Sequence, residues 1–203
     1  MPEDAKIEWV VLDAMGVIYS ARDDVTDILI PFLRERGCDL PDDMIVRDYK
    51  SASLGRMSSD DFWTACGMEN PEGLDCELTF MHSLNPGLLQ MLPKLRDNGV
   101  RLACLSNDVS EWSRLLRRRY GLERWVEKWV ISGDAGRRKP DPAIYEKLLR
   151  ATNAPPECCL FVDDRQKNID AAARLGFQTL LFNESGKDAQ AQFDKVLELA
   201  TRD

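Results

Sequence analysis

Short apolar runs alternate with longer amphipathic stretches along most of the chain. Apolar, β-branched runs at 7–13, 100–106, 128–132, 159–163 and 178–182 predict strands. Between and after them, apolar positions recur at helical spacing over 87–98, 110–120, 142–151, 168–175 and 189–200. Asp141 before Pro142 reads as a cap followed by proline at the first helical position. Gly99, Gly121 and Gly176 read as helix terminators. Strands alternating with helices imply parallel βαβ units, so the expected fold class is α/β, a three-layer doubly wound parallel sheet.

The stretch 25–82 breaks that rhythm. Helical patterns at 25–36, 42–53, 59–65 and 72–81 follow one another without a convincing strand between them. A helical insertion after the first strand is expected, giving a core of 1–20 and 83–203 and a small helical cap of 21–82. Loops past the carboxyl ends of parallel strands line the ligand crevice, so an insertion at this point covers it. There is no internal repeat and no low-complexity tract.

Length and composition narrow the partners. A chain of 203 residues, 44% hydrophobic and 31% charged, has the make-up of one globular domain carrying a modest insertion. Nothing reads as a membrane span, and the opening Met1-Pro2-Glu3-Asp4-Ala5-Lys6 lacks the apolar core of a signal peptide, so a cytoplasmic location is expected. A formal net charge of −8 argues against nucleic acid or an anionic membrane as partner. Arg117-Arg118-Arg119 is the local exception, expected in solvent at a helix end where it complements the dipole. Six cysteines (Cys38, Cys66, Cys76, Cys104, Cys158, Cys159) show no CxxC pairing and read as reduced, inert thiols. Monomer and homodimer both stay open.

Four polar clusters sit at the carboxyl ends of four of the five predicted strands. Asp13 tips the first strand and is followed by Ala14-Met15-Gly16-Val17, a carboxylate before a glycine turn. Ser106-Asn107-Asp108 places a hydroxyl and an amide just before a helix, groups that suit phosphate oxygens. Lys139, ahead of Pro140-Asp141-Pro142, fixes an ammonium beside the next helix start, where it can neutralise both an attacking carboxylate and a phosphoryl group. Asp163-Asp164, followed by Asn168, is a repulsive pair unless a cation lies between its members, and a hard cation such as magnesium takes oxygen ligands. Each cluster alone is commonplace; all four in this order are not.

The ordered set DxxGV, LSN, RKPDPxIY and FVDDxxxNIxxAxxxG resembles the four motifs of the haloacid dehalogenase-like (HAD) hydrolase superfamily. More narrowly, it is similar to the branch containing bacterial α-D-glucose-1-phosphate phosphatases and the phosphatase domain of soluble epoxide hydrolases. The resemblance covers about 7–13 and 85–182; the insertion matches in position, in helical character and in a Gly55-Arg56-Met57-Ser58 run. It implies a HAD-like Rossmannoid core and a magnesium-dependent phosphatase of a small phosphorylated metabolite, working through an aspartyl-phosphate on Asp13. It further implies that Asp13, the Met15 carbonyl, Asp163 and Asp164 hold magnesium, with Asp164 the direct ligand of the pair. Ser106, Asn107 and Gly16 meet the phosphoryl group, Lys139 bridges Asp13 and phosphate, and Asn168 orients the metal site.

One position departs from the pattern. Most phosphatases of the superfamily carry a second aspartate two residues after the nucleophile, and here Met15 stands there. A thioether neither protonates a leaving oxygen nor activates water. The glucose-1-phosphate phosphatase branch also lacks this aspartate, so phosphatase activity toward good leaving groups, anomeric or acyl phosphates, is one reading. Haloacid dehalogenation is a second, weakened by the paired Asp163 and Asp164. A phosphonoacetaldehyde-hydrolase-like C–P hydrolase, with Lys50 as Schiff-base lysine, is a third. A degenerate, non-catalytic HAD-like binding module is the non-enzyme alternative.

Candidate substrate contacts are Tyr19, Tyr49, Lys50 and above all Arg56, which follows Gly55 in an apparent turn of the insertion. Arg137 and Arg138 either raise the positive potential beside Lys139 or are solvated loop charges. Arg165 is expected to face outward, His82 to be a satisfied structural or surface histidine, and Trp112, Trp125 and Trp129 to serve packing.

Overall fold

β1 (Trp9–Leu12) is buried at every position because helices cover both faces of the sheet that contains it. Val10 and Leu12 point into one apolar cluster and Trp9 and Val11 into the other, which is why the strand reads as a continuous hydrophobic run. The computed structural model describes residues 5–183 and 189–202; the first four residues of the opening segment, part of the expected core, lie outside them.

After β1 the chain enters the insertion. A π-turn at Val25–Leu29 leads into α1 (Ile30–Glu35), followed by α2 (Asp42–Ala52), α3 (Ser59–Ala65) and α4 (Leu74–Phe80). The π-turn interrupts what the periodicity presents as one helix over 25–36. Pro31 has no N–H to give the turn before it, and at the junction the Ile30 N–H reaches back five residues to the Val25 carbonyl. Ser58 caps α3 reciprocally with Asp61.

The core then runs α5 (Leu88–Asp97), β2 (Arg101–Ser106), α6 (Ser110–Arg119), β3 (Lys128–Ile131), α7 (Ser132–Ala135), α8 (Pro142–Thr152), β4 (Cys159–Asp163), α9 (Gln166–Arg174), β5 (Gln178–Leu181) and α10 (Ala189–Ala200). The five strands are parallel in the order β3-β2-β1-β4-β5. Helices α5, α6 and α10 pack on one face, α8 and α9 on the other, completing the three layers expected. The Asp141 side chain caps α8 by accepting from the Ala143 N–H. α7, a single turn, left no periodic signal. Among the described residues no helix is long and apolar enough to cross a membrane.

The insertion builds its own apolar cluster, with Phe32, Leu33, Ile45, Phe62 and Trp63 at its centre, but Val109 and Trp112 from the core complete it. Asp75 ties the two parts together. One of its oxygens accepts the indole N–H of Trp63 at 2.7 Å and of Trp112 at 2.6 Å, and the other accepts the Ser59 hydroxyl at 2.7 Å. Arg118 and Arg119 are exposed in the last turn of α6, as expected, and Arg119 in addition donates to the Thr79 carbonyl at 2.6 Å and fastens the end of α4 to α6. Arg117 is likewise held, by Glu123 at 3.0 Å. Trp112 is a packing residue and Trp125 and Trp129 pack at the edge of the core cluster. All six cysteines are free, Cys76 alone of them exposed.

Replacing Asp75 by alanine strands two buried indole N–H groups and is expected to lower the unfolding free energy by about 1–3 kcal/mol in urea melts. An unshifted midpoint would show that Asp75 does not fasten the insertion.

Candidate active site

Asp13 follows β1 without leaving the ladder: its N–H donates to the Val162 carbonyl of β4 at 2.9 Å. The carboxylate therefore stands at the carboxyl edge of the central strand, 6% exposed, with its Oδ1 accepting the Ala14 N–H at 2.6 Å. The chain then turns at Gly16, whose φ of +81° is open to glycine at little cost. A Cβ at this position would lie 2.6 Å from Asp164 Oδ2, so the glycine makes room for that carboxylate. Asn85, buried and unnoticed in the sequence, pins the same turn by donating to the Gly16, Val17 and Tyr19 carbonyls.

Lys139 brings the second strand-end cluster and the loop before α8 to Asp13. Its Nζ, on a side chain 1% exposed, lies 2.7 Å from Asp13 Oδ1 and 2.7 Å from Asp163 Oδ2. Burial works against the ammonium, yet the two carboxylates hold it above the ordinary lysine range. Asn107 fixes the backbone beneath it: the side-chain oxygen accepts the Lys139 N–H at 2.7 Å and the amide donates to the Lys139 carbonyl at 3.0 Å. The Asn107 oxygen and one of its two amide N–H groups thus hold the Lys139 backbone, and the side chain lines the cavity in which a phosphoryl contact was expected of it. The Asn107 carbonyl accepts the Tyr49 hydroxyl of α2 at 3.2 Å.

Asp163 and Asp164 differ in their partners. Asp163 accepts from Lys139, from the Arg165 N–H at 2.8 Å and from the Asn168 amide at 2.9 Å. Burial pushes its carboxyl up, but these donors hold it below the usual carboxylate range. Asp164 Oδ2 accepts Arg22 Nε at 3.2 Å, while its buried Oδ1 has no partner. Burial and Asp163 raise Asp164, opposed by Arg22. For Asp13, burial and its carboxylate neighbours raise the carboxyl well above its ordinary value against the pull of Lys139.

The common cause is a deficit of positive charge. Three buried carboxylates face one buried ammonium and only the edges of two half-exposed guanidiniums, Arg22 at 3.2 Å and Arg165 at 4.0 Å. Asp13, Asp163 and Asp164 each offer an oxygen, all within 4.8 Å of one another. A hard divalent cation fits such a set, because it supplies the missing charge and takes oxygen ligands, the orphaned Asp164 Oδ1 among them. Arg22, missed in the sequence, is hydrogen-bonded to Asp164, and Arg165 Nε lies 4.0 Å from its Oδ1.

A cavity of about 280 Å³ opens over this cluster. Asp13, Met15, Ser106, Asn107 and Lys139 line it from the core, and Arg22, Asp24, Tyr49 and Lys50 from the insertion and the segment leading into it. Gly16 does not line it, nor does Arg56, which is exposed and borders two shallower grooves. Tyr19 is also corrected: it is buried in the core against His82 and Tyr120. His82 is buried with Nδ1 3.2 Å from the Leu78 carbonyl, and burial lowers its pKa. Its Nε2 has no partner, so it is only half satisfied. Of the two loop arginines, Arg138 lines the cavity and bonds the Ser53 hydroxyl, whereas Arg137 pairs with Asp141 at 3.7 Å. Arg165 is exposed yet borders the cavity.

A family model described as haloacid dehalogenase-like hydrolase matches residues 7–176. Glyceraldehyde 3-phosphate phosphatase of Pyrococcus abyssi (strain GE5 / Orsay) is 34% identical over 100 residues, 48% of this chain and 41% of that protein. The protein of the same name in Pyrococcus furiosus is 29% identical over 135 residues, 65% of this chain and 54% of that one. The chain thus spans about half the length of these curated relatives. Among solved structures, HAD family enzyme bt-2542 from Bacteroides thetaiotaomicron, in complex with magnesium and inorganic phosphate, superposes with a TM-score of 0.75 at 20% identity, over 90% of this chain and 96% of that one.

Addition of magnesium is expected to raise the melting temperature, equivalent to about 2.7 kcal/mol at a concentration one hundred times the dissociation constant. Asp164→Asn is expected to remove most of that shift in thermal melts; a shift equal to the parent's would place the cation elsewhere.

Proposed function

The chain belongs to the haloacid dehalogenase-like hydrolases, and from that premise we propose that it is a magnesium-dependent phosphatase of a small phosphorylated metabolite, acting in the cytoplasm through an aspartyl-phosphate on Asp13. The observation that carries the reading is Lys139 Nζ, 2.7 Å from both Asp13 and Asp163 on the floor of the cavity. A carboxylate attacking a dianionic phosphoryl group must first have the repulsion removed, and this arrangement concentrates the means of doing so.

In the first half-reaction an Asp13 oxygen forms a bond to phosphorus as the ester P–O bond breaks. Lys139 neutralises charge on the nucleophile and on the phosphoryl oxygens, and Asn107 holds Lys139 in place. Ser106, at the tip of β2, donates its hydroxyl to a phosphoryl oxygen. Asp13, the Met15 carbonyl and Asp164 would hold the magnesium, with Asp163 and Asn168 bracing the site from behind. When bound, the ion supplies charge neutralisation of the transferring group. Support comes from the buried carboxylate set and from the magnesium and phosphate complex of the Bacteroides enzyme. A cavity of about 280 Å³ sits at the small end of ligand sites, which favours a substrate of few atoms.

Met15 sets the leaving-group preference. It lines the cavity where a proton donor is needed and has none to give. The two Pyrococcus relatives are named for glyceraldehyde 3-phosphate; this chain, without an acid at position 15, favours leaving groups of low pKa, anomeric or acyl phosphates. A C–P hydrolase remains the second reading because Lys50, its required lysine, lines the cavity. Borohydride trapping of an aldehyde on Lys50 is the result that would favour it.

In a magnesium-dependent phosphate-release panel, acyl and anomeric phosphates are expected to outpace primary alkyl phosphates, and Asp13→Asn to lose at least ~10³-fold in kcat. Met15→Asp is expected to speed the alkyl phosphates by up to ~10²–10⁴-fold. Primary alkyl phosphates leading in the parent, or no gain from Met15→Asp, would remove the leaving-group preference.

A further inference from the structure

Breaking the Asp13–phosphate bond needs a water relieved of a proton, and the thioether at position 15 cannot accept one. Two carboxylates line the cavity outside the Asp13–Asp163–Asp164 cluster: Asp23 and Asp24. Asp23 is occupied, accepting the Thr26 N–H at 3.4 Å and lying 3.9 Å from Arg165 Nη2. Among the described residues the Asp24 carboxylate makes no ion pair and no hydrogen bond to another residue, and it is half-buried at the point where the chain enters the insertion.

Several elements converge on Asp24. Tyr49 of α2 and Ser106 and Asn107 after β2 line the same cavity as Asp24, whose charge adds to burial in raising the Tyr49 hydroxyl and the Asp108 carboxyl. Arg138, before α8, and Arg165, after β4, line that cavity too, and their charges pull the Asp24 carboxyl down. Resting on the phosphatase reading above, we propose that Asp24 is the general base for the water that releases phosphate from Asp13.

The step balances. The water oxygen forms a bond to phosphorus while Asp24 takes one of its protons. The P–O bond to Asp13 breaks, its electron pair returns to the Asp13 carboxylate, and hydrogen phosphate leaves. Asp24 then gives its proton to solvent. Burial, and after it the charge of Asp23, push Asp24 up to about 6, against the opposing pull of its own backbone N–H and then of Arg165 and Arg138. The group is therefore mostly ionised near neutral pH, a base with no proton to lend. That is why it serves the second half-reaction and leaves the leaving-group preference intact.

The test uses the full chain with magnesium and p-nitrophenyl phosphate, following nitrophenolate release and acid-quenched phosphoprotein. Asp24→Asn is expected to keep the rapid first release and to accumulate phosphoprotein, while steady turnover falls ~10²-fold or more. The rise of kcat with pH through about 6 in the parent is expected to vanish in Asp24→Asn and to return in Asp24→Glu. Turnover and first release falling together, no accumulation of phosphoprotein, or an unchanged pH limb would overturn the role of Asp24. If Asp13→Asn still releases phosphate, the aspartyl-phosphate reading fails and this one with it. If Asp13→Asn is inactive while Asp24→Asn turns over like the parent, only the assignment of Asp24 fails.

Discussion

A single buried ammonium organises the end of the sheet. Lys139 lies at hydrogen-bond distance from carboxylates on two adjacent strands, Asp13 after β1 and Asp163 at the end of β4. Removing such ions from water costs several kcal/mol apiece, and only mutual neutralisation and full hydrogen bonding offset that cost. Asn107, Asn168 and the Arg165 N–H provide the bonding, each aimed at Lys139 or Asp163 rather than at solvent. The balance still falls short on the positive side, and that shortfall is what makes the cluster receptive to a divalent cation and a phosphoryl group. The same electrostatic debt that burdens the resting fold is discharged when the site is filled.

The insertion depends on the core as much as it covers it. Trp112 of α6 completes its apolar cluster, Asp75 joins two indoles, and Arg119 reaches the last carbonyls of α4. Near the cavity, Tyr49 bonds the Asn107 carbonyl, and the Ser132 hydroxyl bonds the Ser53 carbonyl. Gly55 and Gly133 meet so closely that a Cβ on Gly55 would lie 2.2 Å from the Gly133 carbonyl oxygen. These contacts set the wall that carries Tyr49 and Lys50 at a fixed height above Asp13, and with it the small volume left for a substrate.

On the proposed phosphatase reading, Met15 divides the chemistry between two parts of the chain. In a site with an aspartate at that position, one turn supplies both nucleophile and proton carrier. On the proposed reading the turn supplies only the nucleophile, and among the described residues the cavity-wall carboxylate without an ion pair is Asp24, where the chain passes into the insertion. Linking proton transfer to the covering layer makes the second half-reaction sensitive to how that layer sits, because a base acts only within hydrogen-bond reach of its water.

The five strands, most helix boundaries and the four strand-end clusters were legible in the sequence by itself. Strands buried on both faces leave continuous apolar runs, and caps such as Asp141 before Pro142 act on neighbours in the chain. Those signals are local, so a linear reading captures them. What only the tertiary structure decided are pairings between distant positions: Arg22 with Asp164, 142 residues apart, and Ser132 with Ser53, 79 apart. Asn107 turned out to grip the Lys139 backbone, Arg56 to miss the cavity, and Asp24 to enter it, none of which periodicity records. A loop has no repeating pattern to read, and where its charges come to rest depends on which strands the chain has brought side by side beneath it.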